Sequence, residues 1–224
     1  MKSFRICMQN IRKWGSNSRI KMCLIMSFLF VYSYISGMWK IIPLVGEKMN
    51  PWIFPFLLCW RFMKIVFMAP IVFIFCDAPF IDSNQSYVML RTSRKKWCFG
   101  QVLYIYAGSV IYAFVLFFST IIINIGHIKW GTSWGKVLGS AGTSTVLSTL
   151  GINYTTVKVP AIVIRYYTPA QAMFFSFLLM VLSFIFIGLL IYTVNVITKT
   201  NVAGTIIAGF FVILTCLLYT SPSP

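Results

Sequence analysis

Three carboxylates and one imidazole, Glu47, Asp77, Asp82 and His127, are all the acidic side chains and histidines in this 224-residue chain. General acid–base and nucleophilic catalysis draw on paired carboxylates, or on histidine beside a carboxylate or cysteine. No HExxH and no cluster of acids is present. A single histidine excludes a multi-histidine metal site. The six cysteines (Cys7, Cys23, Cys59, Cys76, Cys98 and Cys216) are scattered without a Cys-x-x-Cys pair. Four lie in or beside apolar runs, where free cysteine behaves as a small hydrophobe. Neither a disulfide framework nor a metal site is expected. The phosphate loop Gly-x-x-x-x-Gly-Lys-Ser/Thr does not occur. The residues therefore point away from an enzyme, and no cofactor is expected.

What remains is positive charge: 19 Lys and Arg against the three acids give a net charge of +16. Yet only 10% of the residues are charged while 59% are hydrophobic, and the mean hydropathy is +0.85. A soluble domain needs about a quarter of its residues charged to cover its surface. Most of this surface must face lipid, so the chain reads as an integral membrane protein. Its cations serve first as topology signals and headgroup contacts. They form no continuous stripe, so nucleic acid is not an expected partner.

The elements that would carry these residues are transmembrane helices of about 20 apolar residues. Five spans are visible, at about 23–45, 52–76, 102–124, 171–195 and 202–215. No period-2 alternation suggests a barrel. The fold class expected is all-α, a polytopic transmembrane helix bundle forming a single domain over 1–215. With the N-terminus inside, segments 1–22, 77–101 and 196–201 hold 11 basic residues in 53 positions. The outer segments 39–50 and 125–170 hold 6 in 58. That density difference predicts a cytoplasmic N-terminus. Ahead of the first span, a short interfacial helix is expected to lay Phe4, Ile6, Ile11 and Trp14 on the membrane surface.

Arg61 and Lys64 interrupt the second apolar stretch and share one helix face, being three apart. Each would cost about 2.5–3.5 kcal/mol at the bilayer centre. Pro51 and Pro55 also break the start of that stretch. A short re-entrant or interfacial piece followed by a returning helix would set both cations near headgroups or in a polar cavity. Snorkelling is the plain reading; contact with an anionic lipid or substrate is the functional one.

The most informative segment is 77–97. Asp77, Pro79 and Asp82 precede a helix cap at Ser83 or Asn84. Tyr87, Leu90 and Arg94 recur at helical spacing, and Arg94-Lys95-Lys96-Trp97 closes the segment with headgroup anchors. A short amphipathic helix along the inner surface is expected there.

With Gln101-x-x-Tyr104 after it, the run Asp77-Ala78-Pro79-Phe80, Tyr87, Arg91 and Arg94-Lys95-Lys96-Trp97 resembles permeases of the type-2 ABC exporter (ABC-2) class. The likeness is to an uncharacterised six-span family of Gram-positive bacteria, and it covers about residues 1–215. Asn50-Pro51-Trp52-Ile53-Phe54-Pro55-Phe56 and Trp134-Gly135-Lys136-Val137-Leu138 fit the same pattern. The resemblance implies a cell-membrane permease, working as a homo- or heterodimer with a separate ABC ATPase subunit. It places the ATPase-coupling contact at Asp77, Pro79, Phe80, Asp82, Tyr87, Arg91, Arg94, Lys95, Lys96 and Trp97. Substrates such as a peptide, lipid or hydrophobic drug would meet Gly, Ser, Thr and aromatic side chains between helices. Two alternatives stay open: a nontransporting membrane protein (an immunity or scaffold factor), and an ion-coupled carrier, which usually needs carboxylates inside the membrane.

The end of the chain, Cys216-Leu-Leu-Tyr-Thr-Ser-Pro-Ser-Pro224, resembles the conceptual translation of a transposase adapter used in DNA library preparation. It is expected to be an artefactual tail standing in place of a sixth span; a genuine Ser/Pro tail is the alternative.

Overall fold

The apolar runs fold as helices, and their limits fall where proline, glycine or charge interrupts the hydrophobic pattern. The computed structural model describes residues 2–80, 92–142, 157–200 and 202–218. In chain order the helices are α1 (Lys2–Arg12), α2 (Ser18–Ser36), α3 (Ile42–Val45), α4 (Arg61–Phe75), α5 (Arg94–Asn124), α6 (Gly135–Ala141), α7 (Ala161–Tyr166), α8 (Pro169–Thr198) and α9 (Ala203–Leu218). Among the described residues there is no strand, only one isolated bridge between Met49 and Ile128. The class is all-α.

Among the described residues, three stretches are long and apolar enough to cross a membrane: Ser18–Val45, Arg94–Asn124 and Pro169–Thr198, of 28, 31 and 30 residues. The other two expected spans contain shorter apolar helices, Phe62–Phe75 and Ala203–Thr215. At about 1.5 Å per residue, the 15 residues of α4 reach about 22 Å, short of a hydrocarbon core of about 30 Å. The stretch 52–76 is therefore not one helix. Residues 54–56 form a single 3₁₀ turn with Pro55 inside it, and α4 begins only at Arg61. Arg61 and Lys64 thus open a helix instead of interrupting one.

A second revision concerns α5. Arg94–Trp97 does not close a preceding helix; it is the first turn of the 31-residue α5. The rest of the expected surface helix, including its cap at Ser83 or Asn84, lies outside the described residues.

The chain gathers into two compact units: Met1–Met26, Phe67–Ala113 and Val181–Pro224 form one, and Ser27–Val66 with Phe114–Met180 the other. In the first, α1 packs on the start of α5 through one stripe of its surface. Ser3 Oγ donates to the Lys96 carbonyl at 2.9 Å, Asn10 Nδ2 to Gln101 Oε1 at 3.0 Å, and Trp14 Nε1 to Tyr104 OH at 2.7 Å. Gly100 permits this approach, since a Cβ there would stand 3.0 Å from Ile6 Cβ. Ile6, Cys7 and Asn10 are buried as a result. The face expected to lie on the membrane is therefore turned partly into protein. Phe4 is exposed, but Ile6 is not, and Trp14 has a protein partner.

The second unit joins the two segments 50–56 and 134–138. Met49 N donates to His127 O at 3.0 Å and its carbonyl accepts from Lys129 N at 2.9 Å. Asn50 Nδ2 then donates to Ser133 O at 2.5 Å, and Trp52 Nε1 to Gly131 O at 2.8 Å. Gly135 takes a left-handed φ of 74°, and a Cβ there would stand 3.0 Å from the Asn50 amide carbon. Glycine meets both demands at once. Phe56 packs on Trp134 with ring centres 5.4 Å apart, and Trp134 Nε1 donates to Tyr167 O at 3.0 Å. Glu47 pairs with Lys136 at 2.7 Å. This hydrogen bond holds the Glu47 carboxyl below its ordinary range.

A candidate coupling turn and the cavity beside it

After Phe75 the chain leaves α4 through a tight turn, Cys76–Phe80. Ala78 N donates to Phe75 O at 2.9 Å and Phe80 N to Asp77 O at 2.7 Å. The Ala78–Pro79 peptide is cis, and Phe80 has a φ of 53°. Ala78 and Pro79 are buried and Phe80 is half-buried. Backbone groups in a buried turn must find partners outside it. Asn195, near the end of α8, supplies one. Its Nδ2 donates to Ala78 O at 2.7 Å, while its Oδ1 accepts from Gly204 N in α9 at the same distance. Thr205 Oγ1 reaches the Cys76 carbonyl at 3.4 Å. The turn is thus tied to both α8 and α9 through polar side chains.

Asp77 receives the guanidinium of Arg19, from the first turn of α2. Nη1 reaches Oδ1 at 3.2 Å, and Nη2 pairs with Oδ2. Cys76 Sγ also donates to Oδ1, at 3.4 Å. The Arg19 hydrogen bond is the main reason that the Asp77 carboxyl lies below the usual carboxylate range, against a smaller opposing effect of burial. Phe80 lies edge-on to Tyr104 with centres 4.7 Å apart, and Phe75 meets the same ring at 5.9 Å. Between α1, α2, the turn and α5 lies a cavity of about 360 Å³, with Lys13, Asn17, Arg19 and Asp77 in its polar wall and Trp14, Phe80 and Tyr104 in its aromatic wall.

The sign of the pH dependence follows from the lowered pKa. A carboxylate depressed in the folded state stabilises it fully above its unfolded pKa, about 3.9, and loses that contribution as pH falls through the folded value. The Arg19 and Asp77 side chains are 37% and 58% exposed, so solvent screening limits the pair to about 1 kcal/mol or less. Asp77→Asn should therefore cost little at pH 7 and should flatten the decline of the melting midpoint as pH falls below about 4. Parallel acid titrations of the two proteins, with identical slopes, would exclude the pairing.

Of the residues singled out by sequence, Asp77, Pro79 and Phe80 come together in this turn. Arg94, Lys95 and Lys96 are exposed at the start of α5 in the same unit, and Trp97 is 9% exposed, packed in the core instead of anchoring at headgroups. Asp82, Tyr87 and Arg91 lie outside the described residues. Arg61 and Lys64 belong to the second unit. Sequence reading missed Arg19, Asn195 and Thr205. Asn195 carries a signal, a carboxamide closing an apolar run of 25 residues, though hydropathy alone marks it as no more than the limit of that run. Among the described residues, no three His, Cys, Asp or Glu side chains gather closely enough to hold a metal. Comparison of the chain with protein-family models, with curated proteins and with solved structures finds no match.

Proposed function

We propose that this chain is the membrane-spanning permease subunit of an ATP-driven exporter of the ABC-2 type, coupled to a separate ATPase through the segment 77–101. In this reading it is a multi-pass protein of the cell membrane with its N-terminus in the cytoplasm, and it works as a dimer. The observation that carries the reading is the pairing, in one unit, of a braced turn at 76–80 with three exposed cations, Arg94, Lys95 and Lys96, at the start of α5. Cations in a helix's first turn oppose its dipole, each by about 0.3–1 kcal/mol. With no acid among the first-turn residues to offset them, they do not serve the helix itself. They suit an acidic partner outside it. α5 then continues unbroken for 31 residues. The mutual binding of segments 50–56 and 134–138, both part of the family likeness, lends further support.

The test is charge reversal, Arg94→Glu with Lys95→Glu and Lys96→Glu, in a chain co-expressed with a candidate ABC ATPase subunit. Loss of co-purification and of transport-linked ATP hydrolysis is expected, with the helical content unchanged. Association and turnover at wild-type levels would sink the coupling role and favour a nontransporting membrane protein.

A further inference from the structure

Helix α1 carries three cations, Lys2, Arg5 and Arg12, and no acid, and α5 carries no acid either. Ile6, Cys7 and Asn10 are buried on the side of α1 that meets α5. At about 100° per residue, Phe4, Met8, Arg12 and Arg5 fall on the opposite side, within one arc of about 100°. All four are exposed, Phe4 at 58% and Met8 at 38%. This face shares only Phe4 with the one expected from sequence. The height at which α1 sits follows from α5. Val102–Asn124, the apolar part of α5, reaches about 35 Å, enough for a hydrocarbon core of about 30 Å. With α5 across the membrane, Arg94–Gln101 therefore stand at the headgroups or beyond them. The partners of α1 on α5 are Lys96, Gly100, Gln101 and Tyr104, so α1 is held at that boundary.

We infer that the outward face of α1 binds an anionic lipid surface, with Phe4 and Met8 against the upper acyl chains and Arg5 and Arg12 on the lipid phosphates. Apolar contact alone would accept any lipid. Two arginines about two turns apart, with no acid near them in sequence, add a preference for negative headgroups. Exposed cations also invite an acidic protein. The boundary position of α1 favours lipid, because headgroups are the anions that lie at that level. The inference rests on α5 crossing the membrane and not on the exporter reading, since a nontransporting membrane protein would use the same face.

The test is photochemical and uses the full chain in nanodiscs of equal parts phosphatidylglycerol and phosphatidylcholine. Photoreactive benzoylphenylalanine replaces Phe4 in one protein and, in another, Phe114, which is 43% exposed within the apolar part of α5. Lipid adducts are identified by mass spectrometry. Position 114 should yield adducts of both lipids alike; no lipid adduct there would remove the membrane reading and the inference together. At position 4, phosphatidylglycerol adducts should exceed phosphatidylcholine adducts by about fivefold or more, the effect of one arginine near the surface. Added salt should bring that ratio towards one, and so should Arg5→Gln combined with Arg12→Gln. Lipid adducts at 114 with none at 4 would overturn the inference alone, leaving the face to a protein partner. So would equal yields of the two lipids at position 4, or a preference that survives the loss of both arginines.

Discussion

Asn195→Leu is expected to lower the unfolding free energy by about 2–4 kcal/mol, since it leaves two buried backbone groups without partners at about 1–3 kcal/mol each. Asn195 is 2% exposed, and its carboxamide is shared between the Ala78 carbonyl and the Gly204 amide. Leucine keeps the branched shape of asparagine but is larger, so the loss combines unsatisfied polar groups with some overpacking and involves no void. Any route to relief is narrow. Gly204 sits against the Ile191 carbonyl and Asn195 itself, so α9 has no room to shift closer. Denaturant titration in detergent, followed by helical circular dichroism, measures the change. A difference below about 0.5 kcal/mol, the range of ordinary surface substitutions, would show that α8 and α9 do not hold the turn.

Phe75→Ala should be at least as damaging, at about 3–5 kcal/mol for a fully buried aromatic. Phe75 is 0% exposed and stands where α4, α5, α8 and the 76–80 turn meet. Its ring centre lies 6.4 Å from that of Phe80 and 5.9 Å from that of Tyr104. Two glycines make space for it: a Cβ at Gly108 would stand 3.1 Å from the ring, and one at Gly188 would stand 2.9 Å away. For a chain whose unfolded helices remain in lipid, apolar transfer contributes little, because lipid tails are as apolar as the side chain. Lost packing remains, which favours the lower end of the range. A double mutant separates these effects. Gly188→Ala alone overpacks and should cost about 1–3 kcal/mol. In the Phe75→Ala background part of that cost should vanish, because the ring it would strike is gone. Strict additivity would show that the two positions do not share a space.

How far the sequence discloses this arrangement depends on the range of the interaction. Helices α2, α5 and α8 are legible because an apolar run of adequate length fixes its own secondary structure wherever it packs. The break before α4 is legible too, from Pro51, Pro55 and Arg61. Hydropathy marks only the apolar stretch from 102, whereas α5 begins at Arg94, because Arg94, Lys95 and Lys96 look like a loop when judged by hydropathy alone. Backbone hydrogen bonding, not apolarity, continues that helix down to Arg94. The acid Asp77 could be singled out, since only three acids exist among 19 cations. Its partner could not, because choosing Arg19 requires knowing that the start of α2 packs beside the turn that follows α4. The same holds for Trp14. An aromatic on an amphipathic segment suits a membrane surface and a protein surface equally, and only Tyr104 and Gly100 decide between them.

The contact of α1 with α5 also sets an order of events during synthesis. Ser3 finds its partner 93 residues later, at Lys96, and Trp14 waits 90 residues for Tyr104. At translation speeds of about 5–20 residues per second, that interval is roughly 5–20 s. Throughout it, Asn10 has no Gln101 to bond and Ile6 no Gly100 to pack on. α1 therefore stays without these partners until the start of α5 has been made, while the 76–80 turn waits longer still, for Asn195 and Thr205.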